Sequence, residues 1–213
     1  MKYPHRLLED VDTLASFKGW GRGVYEDLFR LRGGDISENE FRDKYCRDRA
    51  VLAMDMTGFT LSALEVGEIN SLMRIFDAQR AALPVLQDKG AELIRCFADD
   101  VVALFRDAGT AIDAALEIHR RIDQFNASPI ASAHPTVCCA GIGFGSMFAI
   151  GPNLAQGDEM NRAAKLGEDI ARGGETLITE RAYAATASRE DLVFERQDQD
   201  DLLFPFYRVS AVE

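Results

Sequence analysis

The sequence predicts an α/β or α+β sandwich in which one sheet is covered by helices. Three observations predict it. From Ala50 onward, apolar runs of strand length alternate with stretches of helical periodicity. The run TVCCAGIGFGSMFAIG carries Gly141, Gly143 and Gly145, a density of glycine that argues against a helix. And 213 residues, 47% of them hydrophobic, are enough for one well-buried core.

Ahead of Ala50 the chain is polar and helical in pattern. Leu7, Leu8, Val11 and Leu14 recur at helical spacing, as do Val24, Leu28 and Leu31 before a Gly33-Gly34 stop. Ser37 with Glu40 resembles a capping box for a third short helix. AVLAMDM then reads as the first strand, and the turn residues TGFT open a long helix from about Ser62 to Leu83. Ala91–Phe97 and Val101–Phe105 form a strand pair joined at Ala98-Asp99-Asp100. Asp107 or Thr110 starts an amphipathic helix whose Ala111, Ala115, Ile118 and Ile122 share a face. The Gly-rich run is expected to be two strands around a turn. A helix over Gly157–Ala171 stops at Gly173-Gly174. The strands ETLIT, Leu192–Phe194 and Phe204–Val209 close the sheet, with a short helix at Ala182–Ala187. The expected organisation is an N-terminal helical extension, residues 1–48, on one main domain, residues 49–213.

Lys+Arg 24 against Asp+Glu 35 leaves a net charge of -11. That balance disfavours nucleic acid and anionic membranes as partners, because attraction to phosphate polymers needs basic surface. No apolar run nears the roughly 20 residues of a membrane span, and the opening MKYPHRLLEDVD has no apolar leader segment. Cys46, Cys96, Cys138 and Cys139 show no metal-ligand spacing, and three of them sit in apolar runs. A cytoplasmic protein without a structural disulfide or zinc is expected. Met54, Met56 and Met73 read as core, Tyr45 as half-buried packing and His119 as exposed.

Two acids stand out. Asp55 interrupts the apolar strand VLAMDMTGF, where a carboxylate is costly unless hydrogen-bonded, paired or bound to metal. A purely structural Asp55 would accept backbone N–H groups from the following turn. Asp99 lies at the tip of the hairpin FADDVVALF, where aspartate is ordinary turn chemistry. If the two strands are neighbours, however, two hard oxygen ligands converge at one sheet edge, as Mg²⁺ requires when substrate phosphates complete its shell. The turn after Asp55 also presents successive N–H groups at a helix start, which suits a triphosphate. Two-metal phosphoryl chemistry follows as the sharp hypothesis.

These residues carry a family resemblance. Met54-Asp55-Met56-Thr57-Gly58-Phe59-Thr60 resembles the D-hydrophobe-x-GFT motif of class III nucleotidyl cyclase catalytic domains. GAELIRCFADDVVALF is similar to that family's K-T-I-G-D-G-x-x-A-x-F hairpin, and VCCAGIGFGSMF to its R-I-G-I-H-x-G strand. GDEMNRAAKLGEDIARGGETLIT is similar to G-x-x-V-N-x-A-A-R-L followed by G-x-I-L-V-S. The four motifs occur in order across residues 50–210. The resemblance implies an α+β, ferredoxin-like βαββαβ sandwich behind the helical extension.

The resemblance further implies two Mg²⁺ or Mn²⁺ ions at Asp55 and Asp99, with the Met56 carbonyl in a metal shell. It implies phosphate binding at Phe59 and Thr60. Asn161 would orient the ribose and its 3′-oxygen. Lys165 stands where the family has an arginine that stabilises phosphate charge, a substitution that keeps the charge but loses the planar fork. The partner subunit completes the site, so a homodimer with composite sites is implied.

Base-reading positions depart from the adenylyl and guanylyl patterns. Arg95 replaces a Lys or Glu, and Leu154 replaces a common Asp or Thr. A guanidinium only donates hydrogen bonds, which suits uracil first, then guanine, ahead of adenine. That direction is similar to bacterial pyrimidine cyclases, whose cyclic UMP or cyclic CMP acts during phage infection on a separate effector protein. The family's phosphate-contacting Lys near the penultimate strand is missing from VFERQDQDDLLFPF, where Arg196 is the remaining cation. The alternatives are an adenylate or guanylate cyclase and a non-catalytic nucleotide-binding module of the same fold.

Overall fold

The computed structural model describes residues 7–58, 67–130, 134–150, 154–198 and 204–212. Three helices come first: α1 (Val11–Ser16), α2 (Arg22–Gly33) and α3 (Glu38–Tyr45). Each has a local cause. Asp10 accepts the Thr13 N–H as N-cap of α1, Gly34 ends α2 at φ +83°, and Ser37 with Glu40 closes the expected capping box on α3. Tyr45 is half-buried as expected, its hydroxyl on Asp27 at 2.7 Å and its ring on Phe41.

α3 runs directly into β1 (Cys46–Met56), which starts earlier than the apolar run indicates. There follow α4 (Glu68–Asp88), β2 (Leu93–Phe97), β3 (Asp100–Phe105), α5 (Ala108–Asn126), β4 (Cys138–Ile150) and β5 (Leu154–Gln156). α6 (Asp158–Ala164) continues as a π-helical turn over Lys165–Ile170. β6 (Thr176–Thr179), α7 (Glu180–Thr186), β7 (Leu192–Gln197) and β8 (Phe206–Ala211) complete the chain.

The sheet order is β2-β3-β1-β4-β6-β8-β7, with β5 on β4. β1, β2, β3 and β4, with α4 and α5, form the expected ferredoxin-like βαββαβ unit. β1 lies at its centre, antiparallel to both β3 and β4. Both faces of β1 are covered, which explains a continuous apolar run where a one-faced strand would alternate. Ala50, Leu52, Met54 and Met56 face the main core with α4 and α5, whereas Val51 and Ala53 face the α6 side. Cys138 and Cys139 divide in the same way, both buried and unbridged.

Three expectations need correction. The Gly-rich run is one 13-residue strand, not two strands around a turn. Its glycines serve a close approach instead: a Cβ on Gly141 would lie 2.0 Å from the Ala163 carbonyl oxygen, and one on Gly143 2.4 Å from that of Glu159. α6 therefore rests directly on the strand backbone. Met73 is exposed, because α4 turns Ile69, Leu72, Met73 and Phe76 outward on one stripe. His119 is largely buried, its Nε2 lying 3.1 Å from Thr176 Oγ1, and burial lowers its pKa. Among the described residues no helix is long and apolar enough to cross a membrane.

Candidate active site

Alternation places the candidate residues. Asp55 follows Val51 and Ala53 on the α6 face of β1, one residue beyond the last β1–β3 rung at Met54↔Val101. On β3, Asp100 shares a face with Val102 and Leu104, and on β2 Arg95 pairs with Val102. Asp55, Asp100 and Arg95 thus share one face at one end of the sheet. Asp99 occupies the two-residue turn between the paired Phe97 and Asp100, preceded by Ala98 at φ +51°. The turn is pinned to α4 by Gln79 Nε2, which donates to the Ala98 carbonyl at 3.1 Å.

The structure brings Asp55 and Asp99 together, and with them three acids that sequence reasoning missed as site residues. Burial and the neighbouring charges of Asp99, Asp100 and Asp169 raise the Asp55 carboxyl from 3.8 to about 6. Oδ1 of Asp55 does accept the Met56 N–H at 2.7 Å, as a strand-end aspartate would. That bond pulls the pKa down, and burial with the acidic neighbours outweighs it. Asp100 and Glu168 are raised as well, first by burial and then by the other carboxylates, with Arg95 opposing both.

Glu168 and Asp169 arrive through the π turn. Gly167 lies against β1 so closely that a Cβ would stand 2.5 Å from the Ala53 carbonyl oxygen. Cys139 Sγ donates to the Gly167 carbonyl at 3.0 Å and lies 3.6 Å from that of Asp55. Acidic doublets are the signal that marks these residues in the sequence, but only the fold tells which doublet faces the site.

No Lys or Arg forms an ion pair with Asp55 or Asp99 among the described residues. Their carboxylates remain available to a divalent cation. No three His, Cys, Asp or Glu side chains among the described residues are placed to hold an ion alone. Two carboxylates with the remaining positions filled by phosphate oxygens and water is a coordination Mg²⁺ accepts. The Met56 side chain is buried in the main core, which leaves only its backbone for such a site.

Asn161, on α6, and Lys165, at the start of the π turn, lie one turn apart and are both exposed. Lys165 Nζ bonds Asp169 Oδ2 at 2.6 Å. Seven residues separate Asn161 from Glu168, about 10 Å along a helix. Arg95 is exposed on the edge strand β2. Arg196 pairs with Asp198 at 3.4 Å. Phe59, Thr60 and the Leu154 side chain lie outside the described residues.

No protein-family model and no curated protein matches the chain. Solved structures do. An adenylate/guanylate cyclase/hydrolase from Silicibacter pomeroyi is 24% identical, with a TM-score of 0.65 over 79% of this chain and 98% of the other. The guanylate cyclase domain of RhGC from Catenaria anguillulae, solved with GTP, is 16% identical, with a TM-score of 0.65 over 78% and 97%. The adenylyl cyclase CyaB from P. aeruginosa is 18% identical, with a TM-score of 0.62 over 79% and 95%. The fold is that of a class III cyclase catalytic domain.

Proposed function

We propose that the chain is a class III nucleotidyl cyclase, joining the ribose 3′-oxygen of a nucleoside triphosphate to its α-phosphorus and releasing pyrophosphate. One observation carries this function above all: on a cyclase fold, Asp55 and the Asp99-Asp100 tip converge, and no Lys or Arg among the described residues forms an ion pair with Asp55 or Asp99. Residues 49–213 would form the catalytic domain and residues 1–48 its extension. Two Mg²⁺ or Mn²⁺ ions held by Asp55 and Asp99, with the Met56 carbonyl, would acidify the 3′-hydroxyl and brace the triphosphate.

The chain's own residues orient and neutralise. Phe59 and Thr60 would hold phosphate oxygens through backbone N–H groups. Asn161 would fix the ribose, and Lys165 would exchange Asp169 for phosphate charge that develops at the partner's site. The spacing of Asn161 from Glu168 along the helix supports a homodimer in which each subunit supplies one half. The exposed stripe of α4, continued by Phe97 at the hairpin, supports an apolar contact beside that site.

Arg95 and Leu154 are the base-reading positions. A donor-only side chain without an acceptor opposite favours uracil, so UTP to cyclic UMP is the reaction we assign, with a separate effector responding to the product in anti-phage defence. Incubating the protein with Mn²⁺ and each of the four nucleoside triphosphates, then identifying products by mass, tests this. Cyclic UMP is expected. Cyclic AMP or cyclic GMP contradicts the base assignment, and the absence of any product refutes the enzyme in favour of a nucleotide-binding module.

A further inference from the structure

Two residues ahead of Asn161, the first turn of α6 carries Glu159, which is 1% exposed. A carboxylate in that setting loses hydration that only partners replace. Oε2 accepts the Thr179 hydroxyl at 2.6 Å and the Phe144 N–H at 3.2 Å. Oε1 is buried without a hydrogen bond, and the nearest cation, Arg181 Nε, stands 3.9 Å away on a largely exposed side chain. An apolar residue of similar volume would leave the Phe144 N–H and the Thr179 hydroxyl without this acceptor. The acid therefore has a use beyond packing.

Its bonds indicate that use. The β4–β6 ladder ends at Ile142↔Ile178, and the next residue, Thr179, caps α7. Glu159 reaches into this corner and ties α6 to β4, to the end of β6 and to the cap of α7. Contact through Gly141 and Gly143 brings the helix close to the sheet, with Ala163 buried beneath it. Hydrogen bonds to one oxygen are directional and add a restraint on the rotation of α6 that apolar packing does not supply.

We propose that Glu159 is a positioning residue that sets the rotation of α6, and with it the direction in which Asn161 and Lys165 project toward the nucleotide. This rests on the cyclase function assigned to those two residues. The test compares Glu159→Gln, Glu159→Asp and Glu159→Ala in the full chain by steady-state cyclisation and by hydrogen exchange. The Gln carbonyl can accept both donors, so its kcat should stay within about twofold of the parent. Asp is one methylene too short and Ala has no acceptor. Both should lower kcat about tenfold with KM little changed, and exchange should rise over residues 158–166 while β1 and β4 stay protected.

A Gln variant as impaired as Ala, or exchange that rises across the whole sheet, overturns the proposal. If Ala fails to fold, the Gln and Asp pair decides. If no triphosphate yields product, the cyclase function fails, and the exchange pattern still decides whether Glu159 orients α6.

Discussion

Asp55 shows how a single residue acquires a function the strand around it does not need. Its carboxyl, raised to about 6, binds a proton more tightly in the folded chain than in the unfolded one. The stability it contributes is full below about pH 4 and lost as pH rises through about 6. Without cations, Asp55→Asn should therefore raise the melting temperature at pH 8 and change it little at pH 4.5. Adding Mn²⁺ at pH 8 should stabilise the parent and leave the variant unmoved. A variant that melts lower than the parent at pH 8 without cations contradicts this electrostatic picture. Lys165 holds Asp169 through an exposed pair of the kind worth only about 0.3–0.5 kcal/mol, a restraint that phosphate can displace. Asp55 was visible in the sequence because an acid in an apolar run must be explained. Glu168 and Asp169 were not, because a π turn is set by how Gly167 meets Ala53 rather than by local preference.

Among the elements, the β2–β3 hairpin is the most exacting. Ala98 occupies the left-handed region at φ +51°, where the cyclase pattern has glycine. An L-residue there costs about 1–2 kcal/mol, of which glycine recovers part after its own entropic cost of about 0.5–1 kcal/mol. Ala98→Gly should stabilise the fold by about 0.5–1 kcal/mol in urea titration, and a destabilised variant would show that the turn is not strained. Helix ends were legible at Ser37, Glu40, Gly34 and Asp107, because caps bond within a few residues. The continuity of β4 was not, since Gly141 and Gly143 look like turn residues until α6 lies across them. His119 misled for a similar reason: charged neighbours on α5 suggest an exposed face, and Thr176 covers it from a strand 57 positions away.

At the scale of the whole molecule, the sheet divides the proposed chemistry. Its Asp55 end gathers acids from β1, β3 and the π turn, whereas Asn161 sits farther back along α6 on the exposed side. Ordered motifs made the fold readable despite identities of 24% and below to the cyclase structures it matches. The pairing of subunits is where the sequence says least, because the exposed stripe on α4 is apolar at spacings that equally fit a core. Asp55→Ala and Asn161→Ala, produced separately and then coexpressed in one cell, test the composite site directly. Each variant alone should form no cyclic nucleotide while remaining folded. Mixed dimers rebuild one intact site of two, so the coexpressed sample should recover about a quarter of parental turnover. Full activity in either single variant, or an inert mixture of proven heterodimers, would contradict a site that takes its metal-gripping acids from one subunit and its ribose contact from the other.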